Sequence, residues 1–171
     1  CSPTLNPNSA HRQLQISADL STVTWNQTAQ PYSDHAERFE WWPIVLCFEN
    51  FSSGDHYWEV DVTGSTTTKW SFALRKSCRV ATTGRWTFNE VSWSLKKWDD
   101  YKAVHNETET KLTVRDAPKR VGVHVDWEAG VLSFYSADSM SLLHRVSSYK
   151  TGFLHPTFWL AGNTQGHLQT V

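Results

Sequence analysis

Residues 121–135 read VGVHVDWEAGVLSFY. Val121, Val123 and Val125 recur at every second position, and a period of two places them on one face of an extended strand. Glu128, Ala129 and Gly130 supply a tight turn, and Val131 to Tyr135 returns as the partner strand. The stretch reads as a hairpin with one apolar face. A hairpin alone is not stable in water, so that face requires a second layer.

The same signature recurs on both sides. The turn cluster Ser52-Ser53-Gly54-Asp55 leads into His56 to Val62, with Trp58, Val60 and Val62 on one face and Tyr57, Glu59 and Asp61 on the other. Trp70, Phe72 and Leu74 alternate with Ser71, Ala73 and Arg75. Leu14, Ile16, Val23 and Trp25 flank Ser17–Ser21 as a further hairpin. Trp86, Phe88, Val91 to Leu95, Leu142, Leu143, Val146 and Phe158 to Leu160 supply more strand material. More than ten short strands with frequent turns predict an all-β sandwich of antiparallel sheets. Helical periodicity is nearly absent, and one short N-terminal helix is expected between Asn6 and Gln13. The polar stretch from Gln27 to Glu40 is expected to be a long exposed loop.

Composition agrees with one globular domain over residues 1–171. Hydrophobic residues make up 39% and charged residues 19%, enough apolar material for a core. The 16 Lys and Arg against 17 Asp and Glu leave a formal charge of −1, so no basic excess points to nucleic acid or an anionic membrane. No apolar run approaches the length of a membrane helix, and membrane insertion is not expected. Cys1, Cys47 and Cys78 form neither a disulfide framework nor a zinc spacing. Free thiols and a cytoplasmic location are expected; a Cys47–Cys78 bridge, with an oxidising compartment, is the alternative.

Catalytic chemistry is not expected. The eight histidines sit in no H-E-x-x-H, and there is no G-x-S-x-G, P-loop or G-x-G-x-x-G. His124 and Asp126 share a strand face, but the sequence offers no nucleophile beside them. No cofactor and no metal site is expected.

Four stretches in order carry a resemblance to the PRY-SPRY family. Leu5-Asn6-Pro7 resembles its Leu-Asp-Pro opening, and FSSGDHYWEVDV at 51–62 its Trp-Glu-Val motif. VGVHVDWEAGVLSFY resembles its Leu-Asp-Tyr-Glu motif, and His155-Pro156-Thr157-Phe158 its closing Tyr-Pro-x-Phe. Asn6, Cys47, Val125 and Trp127 depart from the usual residues without undermining the pattern. The segment 91–110 is most similar to tripartite-motif and receptor members from fish.

The resemblance implies a bent sandwich with a PRY part at about 1–50 and a SPRY part at about 51–171. It implies a protein-recognition module of a larger tripartite-motif ubiquitin ligase or innate immune receptor. Ligase chemistry and oligomerisation would then lie outside this chain. A butyrophilin-like sensor of a small phosphorylated ligand, using Arg75, Lys96 and Lys111, and a structural domain of a pore-forming toxin are the alternatives. The positions matching the family's binding surface are Trp70, Arg75, Lys76, Trp93, Lys96, Trp98, Tyr101 and Asn163. Trp58 and Trp86 are expected in the core, and the alternation of Trp70 and Trp93 suits core and surface equally. Arg75 and Lys76 fit a solvated loop as well as a contact. Trp98 and Tyr101, set among Lys96, Lys97, Asp99 and Asp100, are expected together on the surface, because burying unpaired charges is costly.

Overall fold

In the computed structural model two antiparallel sheets face each other; the structure describes residues 2–65, 69–75, 92–147, 153–162 and 166–171. Seven strands form one sheet, in the order β1 (Leu14–Ile16), β2 (Thr22–Trp25), β13 (His167–Thr170), β4 (Asp55–Asp61), β9 (Arg120–Asp126), β10 (Val131–Ser136) and β11 (Ser141–Ser147). Six form the other, in the order β3 (Ile44–Leu46), β12 (His155–Ala161), β5 (Lys69–Arg75), β6 (Ser92–Lys97), β7 (Tyr101–His105) and β8 (Thr108–Lys111).

The opening hairpin is β9–β10, with Val125 opposite Leu132 and Val123 opposite Phe134. Gly130 adopts φ +66°, a left-handed conformation that explains glycine at the end of this turn. β4 lies on the other side of β9 and sets Trp58 opposite Val123. Trp58, Val60, Val121, Val123, Val125, Leu132 and Phe134 are all buried in one core, which the alternation anticipated. The Leu14–Trp25 hairpin forms in register as well.

Two expectations are corrected. No helix forms between Asn6 and Gln13; among the described residues the helical piece is a 3-10 turn at Thr63–Ser65. The amides of Asn6 and His11 donate instead to Leu46 and Ile44 of β3, at 2.8 and 3.0 Å. The Asn6 side chain accepts the Asn8 amide. Hydrogen bonds outside the segment and an Asx turn thus replace the helical ladder. The loop Gln27–Glu40 is mostly exposed, but Arg38 and Phe39 are buried. Phe39 packs with Ile44, Leu46 and Trp159.

Cys47 is a free, buried thiol, whose pKa burial pushes well above its ordinary value, with Glu49 adding to the effect. Since the thiolate is the reactive form, Cys47 should resist Ellman's reagent in the native protein and react once urea unfolds it. Immediate native labelling at Cys47 would contradict this burial. Cys1, Cys78 and Trp86 lie outside the described residues.

Candidate functional site

In the six-stranded sheet, alternation decides which side chains can meet a partner. Trp70, Phe72, Leu74, Trp93, Leu95 and Phe158 belong to the core. The intervening residues point to the opposite face, and the registers align them in rows. Trp159 of β12 stands opposite Ser71 of β5, Ser71 opposite Lys96 of β6, and Lys96 opposite Lys102 of β7.

Two lysines directly opposite each other repel. Glu109 on β8 resolves this by accepting from Lys96 Nζ and, at 2.8 Å, from Lys102 Nζ. Lys102 first and then Lys96 hold the Glu109 carboxyl below its ordinary pKa of 4.5. A depressed carboxylate contributes fully above its unfolded pKa and is lost only as pH falls through the folded value. The Lys96–Glu109 clamp is therefore complete at neutral pH.

That clamp sits beneath Trp98. The Lys96 ammonium lies 4.2 Å from the Trp98 ring centroid and the Lys69 ammonium 5.4 Å. Both are within range of a cation–π contact. The Trp98 ring tilts against Trp159 at 5.9 Å. Trp98 leaves the sheet in the β6–β7 turn, where its amide donates to Asp100 O at 3.2 Å. It remains 40% exposed.

Trp159 also lines a cleft of about 530 Å³ whose other walls include Trp25, Trp41, Trp42 and Lys69. Trp41 is 68% and Trp42 40% exposed. Trp98 thus meets Trp159, and Trp159 shares a cleft with Trp25, Trp41, Trp42 and Lys69, so five tryptophans gather into one platform on this side of the molecule, with Lys96 buried beneath Trp98. The platform offers large apolar area with polar handles and little rotamer freedom to lose, the anatomy of a protein-binding hot spot.

The sequence-predicted residues divide. Trp98 is exposed, as expected, and Lys96 is beside it, although Lys96 is itself buried. Tyr101 is not beside Trp98. It is half-buried on the core side, edge-on to Trp70 at 6.0 Å. Trp70 is 0% exposed and stacks on Phe72 at 4.4 Å. Trp93 is buried and stacks on His105 at 4.9 Å. Trp70 and Trp93 are core residues because Ser71, Ala73, Ser94 and Lys96 take the alternate face. Arg75 ends β5; Lys76 and Asn163 lie outside the described residues.

Sequence reasoning missed Trp25, Trp41, Trp42, Trp159 and Lys69. One signal was available: Trp41 and Trp42 are adjacent and precede Pro43. Neighbours in an extended chain point to opposite sides, so both cannot enter one core. Nothing in the platform resembles a positioned acid–base pair. His124 does meet Asp55, Nε2 to Oδ1 at 2.6 Å, on the other sheet. Among the described residues no group of three or more His, Cys, Asp or Glu could hold a metal ion.

Comparison with known proteins covers nearly the whole chain. The model of the SPRY-associated domain, PRY, matches residues 3–51, and that of the SPRY domain matches residues 55–170. The mouse E3 ubiquitin-protein ligase TRIM21 is 36% identical over 169 residues, 95% of this chain and 35% of its own. Mouse tripartite motif-containing protein 14 is 35% identical, over 91% of this chain and 36% of its own. Nuclear factor 7, ovary, of Xenopus laevis is 34% identical, over 89% of this chain and 25% of its own. The chain thus spans about a quarter to a third of the length of these curated relatives. Among solved structures, the TRIM65 PSpry domain superposes with a TM-score of 0.84 at 24% identity, covering 100% of this chain and 90% of that one. Stonustoxin superposes at 0.80 with 27% identity, covering 100% of this chain and 27% of that one.

Proposed function

The chain belongs to the PRY-SPRY family, and on that premise we propose that it is a protein-recognition module whose contact surface is the tryptophan platform around Trp98. The exposed Trp98 ring, held by Lys96, Lys69 and Trp159, carries this reading. The parent is a tripartite-motif ubiquitin ligase or a related innate immune protein of the cytoplasm, and this domain selects its target. Ubiquitin transfer belongs to another part of the parent. The relatives named as ligases support the first point, and the free Cys47 thiol supports a reducing compartment. Among the described residues no helix is long and apolar enough to cross a membrane. The pairing of β2 with β13 and of β3 with β12 supports reading residues 1–171 as one unit.

A sensor of small phosphorylated ligands on this face is less well supported. It would need several convergent free cations, yet Lys96 and Lys102 share Glu109, and Lys111 lies 3.3 Å from Asp100, which among the described lysines of this face leaves Lys69 alone without a carboxylate.

The test begins with cross-linking of the full-length parent in cells to identify the target. The affinity of the isolated domain for that target is then measured by calorimetry. Trp98→Ala and Trp42→Ala should each weaken binding by about 2 kcal/mol or more, the range of hot-spot residues. Their melting temperatures should stay close to wild type, since exposed positions contribute little stability. Unchanged affinity in both variants would remove the platform from the interface.

A further inference from the structure

The cleft beside Trp98 is selective in its chemistry. Trp25, Trp41, Trp42 and Trp159 give it aromatic walls, and Gln13 and Lys69 bring polar groups to it. Among the described residues no carboxylate lines it. Trp41 and Trp42 are exposed, and Trp25 and Trp159 are part-exposed, so the rings are open to an occupant.

These side chains donate and hardly accept. An indole offers one N–H and no acceptor, and an ammonium offers donors alone. Among the described residues none of the four indole N–H groups has a hydrogen-bond partner. The Gln13 amide is the one side-chain acceptor in the lining. Lys69 adds a charge. Its ammonium lies 5.4 Å from the Trp98 ring centroid and also lines the cleft, so it belongs to both parts of the platform. It has no carboxylate partner among the described residues, whereas Lys96 is held by Glu109.

We propose that the occupant of this cleft is an extended, acidic, proline-containing segment of the target, with its prolines against the tryptophan rings and a carboxylate on Lys69. This rests on the platform being the contact surface. A proline presents a carbonyl and no N–H, which complements a lining that donates. In the polyproline II conformation such a segment is ordered before it binds, and aromatic-lined grooves capture it at low entropic cost. Flat indole faces bury the pyrrolidine rings. A carboxylate only accepts, and it answers the unpaired Lys69 ammonium. Aromatic cages also hold cations. Here Lys69 repels a cation, and no lining carboxylate offsets that repulsion. The cleft volume of about 530 Å³ suits a few residues of chain rather than a folded surface.

Nuclear magnetic resonance of residues 1–171 tests this, read at the indole N–H groups of Trp42 and Trp159. Acetyl-Pro-Pro-Glu-Pro-Pro-Glu-amide should move both resonances saturably. The peptide with alanine in place of each proline keeps the charge, and the peptide with lysine in place of each glutamate reverses it. Each should bind about tenfold more weakly. Lys69 is exposed, so Lys69→Glu should leave the fold intact. That variant should bind the glutamate peptide about tenfold more weakly, as an attraction becomes a repulsion of similar size. It should also prefer the lysine peptide. Unmoved indole resonances, equal binding of the alanine peptide, or an unchanged charge preference in Lys69→Glu would overturn the proposal. The contact surface itself is tested separately by the calorimetry of Trp98→Ala and Trp42→Ala. A target that depends on those two rings, yet is not displaced by saturating glutamate peptide, would leave the platform standing and overturn only its assigned occupant.

Discussion

Trp58→Ala is expected to destabilise the domain by about 3–5 kcal/mol, the range for deleting a buried aromatic side chain. Trp58 is buried at the centre of the seven-stranded sheet, opposite Val123 on β9. Its ring lies 5.3 Å from Phe51, which in turn stacks on His56 at 4.2 Å. Alanine leaves a void that the two surrounding sheets cannot close, because strand spacing is set by backbone hydrogen bonds. The loss adds an apolar transfer term to a cavity term. Urea unfolding should show a lower midpoint with an unchanged slope. A wild-type midpoint would remove Trp58 from its place as the anchor of this core.

Arg38→Ala is expected to cost about 3 kcal/mol, because hydrogen bonds from a charged donor to buried acceptors are among the strongest in a fold. Arg38 Nη1 donates to Pro7 O at 2.9 Å and Ala10 O at 2.8 Å, and Nε donates to Ser33 O at 3.1 Å. The guanidinium also lies 4.6 Å from the Tyr32 ring centroid. One side chain therefore ties the loop before β3 to the N-terminal turns, where no regular ladder satisfies those carbonyls. Arg38→Lys should recover only part of the loss, since a single ammonium does not reproduce the planar fork that reaches all three carbonyls. Urea unfolding of both variants provides the measurement. A loss below about 0.5 kcal/mol in Arg38→Ala, the size of an ordinary surface change, would show that water replaces the guanidinium without penalty.

Arg38 also shows where sequence reading stops. In the chain it stands between Glu37 and Phe39, in a polar stretch with Pro31 and Asp34, and every local signal points to a solvated loop. Its burial depends on carbonyls of residues 7 and 10, about thirty positions away. The absent N-terminal helix has the same cause. The segment Asn6–Gln13 donates to β3, and no pattern within the segment announces that partner.

The proposed contact surface was legible to a similar extent. Mixed charge and aromatic content marked Trp98 as exposed, and it is. The same local argument grouped Tyr101 with it, yet Tyr101 faces Trp70 on the opposite side of the sheet. The β6–β7 turn lies between them, and the direction in which a turn releases its side chains is not a property of composition.

By itself, the sequence determined the strands and their faces. The period of two in Val121–Val125, in Trp58–Val62 and in Trp70–Leu74 is a local property of extended backbone, so it survives any tertiary arrangement. Tertiary structure alone decided which strands became neighbours and which exposed aromatics gathered. β12 brings Trp159 to Ser71, the sheet order brings Lys96 beneath Trp98, and the loop before β3 sets Trp41 and Trp42 on the same cleft. These residues lie scattered from 41 to 159, and only the closure of long loops brings them together. That closure is driven by burial of the two apolar sheet faces, which is non-directional and leaves no mark on the sequence around any one of them.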